Sequence, residues 1–201
     1  MELPDFFKTI KQTSDGLYKE KGSKFLSFAF PVNDVDEVKT RLEELRKQYY
    51  DARHYCYAYI LGKTGDAIRA NDDGEPGHSA GDPILGQIKS RELTNTLVVV
   101  VRYFGGTKLG VSGLINAYKT AASEALDSNS IIKVPILKSI KIRFEYPLLN
   151  SVMKLIKDEE LKIETQEMGM SCEMSLGVIQ SRDSVVREKL ADLHQVTIVK
   201  N

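Results

Sequence analysis

A chain of 201 residues allows one large domain or two small ones, and surface scaling has roughly 70% of the unfolded surface buried on folding, so the core needs no covalent staples. The 28 basic residues balance 28 acidic ones, evenly on both sides of Pro135, which leaves no global field to draw in duplex DNA or an anionic membrane. No apolar window approaches transmembrane length, the N-terminal stretch lacks a signal-like apolar run, and Cys56 and Cys172 form no paired motif; a cytoplasmic protein is expected.

In chain order, residues 5–10 and 16–20 read as short strands with Asp15-Gly16 as the turn between them. Lys21 to Lys24 lead into an apolar strand, FLSFAFPV, that ends near Pro31. Asn33 or Asp34 can cap the following helix, where Val35, Val38, Leu42 and Leu45 form one apolar stripe and the charged residues a solvated side. HYCYAYIL at 54–61 alternates with period two, placing Tyr55, Tyr57 and Tyr59 on one strand face and Cys56, Ala58 and Ile60 on the other. Gly62 to Gly65 turns that strand and residues 67–70 return. The polar stretch ANDDGEPGHSAGDP is long for a loop inside a compact domain, which marks it as functional or disordered. Ile84, Leu85, Ile88 and Leu93 belong to a short helix.

The stretch around which the chain is organised is 95–125. Leu97 to Val101 is an aliphatic, β-branched run that reads as a strand buried on both faces. Arg102, Tyr103 and Phe104 carry it into Gly105-Gly106-Thr107-Lys108-Leu109-Gly110. A helix begins near Ser112-Gly113 and buries Leu114, Ile115, Tyr118, Ala121, Ala122 and Ala125. A glycine loop between a core strand and a helix N-terminus suits an anion, because free backbone N–H groups and the helix dipole converge there and Lys108 adds a charge. After the helix, residues 131–135 form a strand or linker. From Ser139 the order is strand, helix, strand, strand, helix, strand, the βαββαβ order of a ferredoxin-like domain, with a hairpin turn at 168–171. Domains of 1–135 and 136–201 are expected.

Three blocks, ARHYCYAYILG at 52–62, NDDGEPGHSAGDPIL at 71–85 and VVVVRYFGGTKLGVSGL at 98–114, resemble the signature blocks of the IMPACT family in order and spacing. GSKFLSFAFPV at 22–32 fits the family's opening strand, and the last 60 residues resemble the C-terminal domain of its bacterial members, the YigZ type. The resemblance implies an α+β protein with a ribosomal protein S5 domain 2-like first domain. The second domain would be ferredoxin-like, similar to the last domain of elongation factor G. It also implies a role near translation, since the eukaryotic relatives regulate translation under amino-acid starvation. Binding to RNA or to the translation machinery is the suggestion for the bacterial type. Gly77-His78-Ser79 departs from the Ser-Gly-Thr more common in relatives.

Two classes of function follow. In the first, Arg53, Arg102, Gly105, Gly106, Lys108, Gly110, Ser112 and Gly113 bind an anion or nucleic acid, with RNA or a ribosome-associated protein as partner and no cofactor. Arg69, Lys119 and the interleaved tyrosines would extend that surface, basic groups meeting phosphates and rings stacking on bases. The glycines can equally serve only a tight, closely packed strand-to-helix turn. In the second, an enzyme uses the same loop on a phosphorylated or nucleotide substrate. The loop position is similar to the phosphate loop of small-molecule kinases, and Asp72, Asp73 and Glu75 would bind Mg²⁺ or share a proton. Asp-Asp-Gly-Glu-Pro also reads as turn chemistry, with the aspartates capping their own backbone. His54, His78 and His194 form no zinc set, and no nucleophile–base pair is recognisable.

Overall fold

The structure is a computed structural model that describes residues 4–199. Backbone contacts divide the chain into two compact units, one spanning Phe7–Val134 and the other built from Pro135 onward together with the N-terminal residues through Phe6. Along the first part run β1 (Phe6–Ile10), β2 (Ser14–Glu20), β3 (Ser23–Pro31), α1 (Val35–Gln48), β4 (His54–Leu61) and β5 (Ala67–Asn71). They are followed by α2 (Gly81–Ser90), β6 (Thr96–Tyr103), α3 (Gly110–Asp127) and β7 (Ile131–Pro135).

Five strands form one sheet in the order β2-β3-β6-β4-β5, every neighbouring pair antiparallel, while β1 pairs with β7 in a separate two-stranded sheet. The aliphatic run of β6 lies at the centre. A near-continuous apolar strand is the mark of a sheet covered on both faces, and here that cover exists although all the pairing is antiparallel. On one face α2 and α3 bury Phe25, Ala29, Cys56, Ala58, Val98 and Val100. On the other, Val38 and Leu45 of α1 close over Phe30, Tyr55, Tyr57, Tyr59, Val99 and Val101. Each fully buried Val, Leu, Ile or Phe contributes about 1.5–3 kcal/mol relative to exposure. The tyrosine alternation is thus a core face: Tyr57 and Tyr59 stack on each other beneath α1, with centroids 6.4 Å apart, and offer no rings to a ligand. Asp34 is the cap of α1, its carboxylate accepting from Asp36 N at 2.9 Å and Glu37 N at 2.8 Å.

The first hairpin differs from the sequence expectation. Asp15 and Gly16 lie inside β2, and the two-residue turn between β2 and β3 is Lys21-Gly22, both with positive φ as a primed hairpin turn requires. Gly16 is a packing residue. A Cβ there would come within 2.8 Å of Ala125 N, Glu124 Cβ and Ser27 Oγ, so its absence lets the end of α3 lie directly on β2. Ser14 supports the same contact by donating its hydroxyl to the Ala125 carbonyl at 2.6 Å.

The second unit contains β8 (Leu137–Glu145), α4 (Leu149–Asp158), β9 (Lys162–Glu167), β10 (Ser171–Ile179), α5 (Asp183–Asp192) and β11 (Thr197–Val199). Its sheet order is β11-β8-β10-β9, all antiparallel, which is the ferredoxin-like βαββαβ arrangement. Ile140, Ile142, Phe144, Met174 and Leu176 of the sheet meet Val152, Ile156, Val186 and Leu190 of the two helices in one core. Asp5 joins this unit: its carboxylate accepts from Ser181 N at 2.9 Å and Ser181 Oγ at 2.6 Å, and its carbonyl from Ile136 N at 2.7 Å.

Because the Gly16 site has no room for a methyl group, Gly16→Ala should lower the unfolding free energy by about 1–3 kcal/mol. Urea denaturation followed by circular dichroism gives the measurement, and an unchanged midpoint would show that α3 moves off β2 at no cost.

Candidate functional site

The strand β6 ends where its edges are most constrained. Tyr103 pairs with Lys24 of β3, and Arg102 with His54 of β4. Phe104 then leaves the sheet and Gly105 meets the hairpin turn: a Cβ on Gly105 would lie 1.9 Å from Gly22 C and 2.2 Å from Ser23 N. Gly105 N donates to Ser23 Oγ at 3.1 Å. This glycine therefore serves close backbone approach. Gly106 and Gly110 differ, with φ of +88° and +74° and open space where a side chain would stand.

The helix α3 opens at Gly110, two residues before the position read from the sequence, with no side-chain cap on its first N–H groups and no acid in its first turn. Its exposed residues Gly110, Val111 and Ser112 adjoin the exposed Lys108. Gly113 is half-buried, 3.1 Å (by its missing Cβ) from Leu109 Cβ, and belongs to the packing of the first turn. Unmatched N–H groups at a helix start, together with the dipole and a nearby ammonium, favour an anion.

The acidic loop does reach this strand and helix, through one buried contact. Glu75 Oε1 accepts from Arg102 Nη1 at 2.5 Å and from the Tyr118 hydroxyl at 2.7 Å. The Arg102 and Glu75 side chains are only 7% and 4% exposed. The guanidinium lies 5.4 Å from the centre of the Phe25 ring and 5.7 Å from that of Phe104, so cations and rings add to the ion pair. The Cys56 thiol is 3.3 Å from the Tyr118 hydroxyl and 3.0 Å from the Asp72 carbonyl. Burial pushes both the Cys56 and Tyr118 pKa values up, so the pair stays neutral and Tyr118 acts as a donor to the carboxylate.

Of the proposed acids, Asp72 is engaged with its own loop. Its carboxylate accepts from His78 N at 2.9 Å, Ala80 N at 2.9 Å and Gly81 N at 2.8 Å. Burial works against ionisation of Asp72, but the N–H groups of Gly81, His78 and Ala80 outweigh it and hold the carboxyl below its ordinary range. Asp73 accepts from Tyr55 N at 2.7 Å and lies 3.4 Å from Arg46, while its own N–H donates to Asn71 Oδ1 at 2.7 Å. This is turn chemistry. Among the described residues no three His, Cys, Asp or Glu side chains are grouped to hold a metal ion.

The departure at Gly77-His78-Ser79 has a backbone meaning. His78 has φ of +63°, a left-handed conformation that glycine adopts most easily, and its exposed ring lies 2.6 Å from Asp82 Oδ2. That hydrogen bond and the charge on Asp82 raise the His78 pKa.

Arg102 is thus buried and neutralised by Glu75, whereas Arg53, Arg69, Lys108 and Lys119 are exposed and, among the described residues, in no ion pair within 4.0 Å. Sequence reasoning missed a cleft of about 500 Å³ beside the loop, lined by Lys19, Lys24, Tyr49, Asp51, Tyr103 and Phe104. Gly22, which touches Gly105, also lines it. The signal was present in β2 and β3, whose period of two places Lys19 and Lys24 on one face.

A five-stranded sheet packed between helices, with a glycine loop opening α3, followed by a ferredoxin-like unit, defines a two-unit α+β protein built around a strand–loop–helix segment. Residues 21–126 match the family model described as the Impact N-terminal domain, and the chain belongs to the IMPACT family. It is 29% identical over 185 residues to the IMPACT family member YvyE of Bacillus subtilis, covering 92% of this chain and 85% of that one. Over 174 residues it is 29% identical to YigZ of Escherichia coli, covering 86% and 85%. A family member of Thermus thermophilus is 38% identical over 144 residues, covering 71% and 76%. A crystal structure of a hypothetical protein superposes with a TM-score of 0.73 at 26% identity, covering 99% of this chain and 98% of that one.

Two measurements test the latch and the loop. Removing one partner strands the other's charge, so Arg102→Ala or Glu75→Ala should each cost about 3–5 kcal/mol in urea denaturation, with the double variant costing less than the sum. His78 should titrate above the ordinary histidine value by NMR and return towards it in Asp82→Asn. The contact with Asp82 stabilises fully below the ordinary histidine pKa and is lost as pH rises through the raised one.

Proposed function

We propose that this protein acts without chemistry of its own in translation control, binding RNA on or near the ribosome through the loop from Gly105 to Gly113. The carrying observation is that the loop keeps its donors while the neighbouring acids are used up. The α3 amides are uncapped and Lys108 is exposed, whereas Asp72 is held by three N–H groups and Glu75 by Arg102 and Tyr118. Such a site grips a phosphate and lacks the free carboxylates that a metal-assisted phosphoryl transfer requires. Arg53, next to the strand position that faces Arg102, adds a second exposed cation.

Membership of the IMPACT family supports the same reading through the role near translation that the sequence resemblance implies. The even net charge fits a local rather than a global attraction to nucleic acid. None of the described helices is long and apolar enough to cross a membrane.

Sedimentation of the full chain with ribosomes, before and after ribonuclease treatment, tests the reading. Co-sedimentation that ribonuclease abolishes is the expected result, and co-sedimentation that survives it would indicate a protein partner instead. For the RNA so identified, Lys108→Ala should weaken binding at every sequence tested and lower the salt slope by about 1. An unchanged slope would remove the loop from the interface.

A further inference from the structure

The cleft beside the first hairpin carries an unexplained cost. Lys19 and Lys24 stand directly opposite each other in the β2–β3 register and line the same cleft. Like charges at directly opposed positions destabilise a sheet, because the Cβ atoms of such a pair are only about 4.5–5.5 Å apart. Neither ammonium has an ion-pair partner within 4.0 Å among the described residues. An anion between them would turn this repulsion into attraction.

The remaining walls fit a planar ring. Tyr103 follows in register from Lys24, and its hydroxyl donates to Asp51 at 2.7 Å, which fixes the ring. Phe104 is 53% exposed, and one side of it rests against the Arg102 guanidinium. Tyr49, at the end of α1, provides a third ring, and Asp51 has an acceptor oxygen to spare for an amino or hydroxyl group. A volume of about 500 Å³ is within the range of small-ligand sites, which run from about 300 to 1,000 Å³.

We propose that this cleft is a nucleotide subsite, taking one nucleoside 5′-phosphate unit with its phosphate between Lys19 and Lys24 and its base against Tyr103 and Phe104. The unit is either a free mononucleotide or one residue of a single-stranded RNA. The same combination of aromatic platforms and cations holds single strands with little sequence preference. The proposal rests on the RNA-binding reading above and gives it a second surface, lined in part by Gly22, which meets Gly105 of the loop.

The test uses the full chain with two probes, adenosine 5′-monophosphate and a fluorescent ten-residue oligoadenylate RNA. Oligoadenylate should bind, and Lys19→Ala with Lys24→Ala should weaken it at least tenfold and lower the salt slope by about 0.7, the value of one single-strand phosphate contact. Phe104→Ala should weaken it about fivefold or more, as the loss of one stacked base predicts. Lys63→Ala, in the turn between β4 and β5, should leave it unchanged. Mononucleotide binding that matches the oligomer identifies a free nucleotide as the ligand; a much tighter oligomer identifies RNA. The proposal is overturned when the parent binds neither probe, or when the double lysine variant binds the oligomer as the parent does. Ribosome co-sedimentation is scored separately. A parent that co-sediments but binds neither probe removes the cleft alone; one that binds both through its lysines but never co-sediments keeps the cleft and removes the ribosomal role.

Discussion

The buried contact of Arg102 with Glu75 and Tyr118 is the interaction on which the strand–loop–helix region depends. It joins three segments far apart in sequence: the acidic loop, the last turn of β6 and the middle of α3. Taking a guanidinium and a carboxylate out of water costs several kcal/mol per ion, so the pair is tolerable only with the extra donor from Tyr118 and the rings of Phe25 and Phe104 around it. Arg102 Nε has no hydrogen-bond partner among the described residues. The satisfied atoms give the loop one position rather than many, and Asp72 then orders the rest of it by gathering the N–H groups of residues 78, 80 and 81.

This contact also decides where positive charge is available. A cation at the end of a central strand would be the natural reader of a phosphate, but here it is spent inside the protein. Accessible cations nearby in the chain and sheet are Lys108 on the glycine loop and Lys19 and Lys24 in the cleft that Gly22 helps to line. The meeting of Gly105 with Gly22 sets the distance between these two surfaces, since neither backbone leaves room for a side chain on the other. A protein without net charge can still present cations locally when its acids are turned inward or bound to its own backbone.

Much of the fold was legible because its signals are local. Period two in HYCYAYIL, the aliphatic run of β6 and the three-four spacing of α3 each state which face must be buried, although Ile115, read as part of the α3 face, is 39% exposed. The βαββαβ order of the C-terminal part follows from the same reasoning. The first hairpin was misplaced because Asp-Gly is a strong turn signal and Gly16 looks the same whether it bends the chain or makes room for α3. Arg102 was read as an accessible cation because nothing adjacent in sequence announces Glu75 and Tyr118 as its partners. The glycines of the loop stand out in the sequence, yet only coordinates separate Gly105, needed for close approach, from Gly106 and Gly110, needed for positive φ.

The sequence by itself determined the element order, the two-sided burial of the central strand, the family and the position of the glycine loop at a helix start. These depend on short-range periodicity, on backbone preferences of single residue types and on blocks read along the chain. Only the tertiary structure decided what the charged residues do. Glu75 and Arg102 are 27 positions apart and Tyr118 lies 43 beyond Glu75, and a charge is free or spent according to such distant partners. The opposition of Lys19 and Lys24, by contrast, follows from a hairpin register that the Lys21-Gly22 turn sets. The strand–loop–helix stretch at the heart of the sequence therefore keeps Lys108 exposed and the α3 amides uncapped, while the neighbouring acids hold the fold together, because packing brought them to an arginine and to backbone amides first.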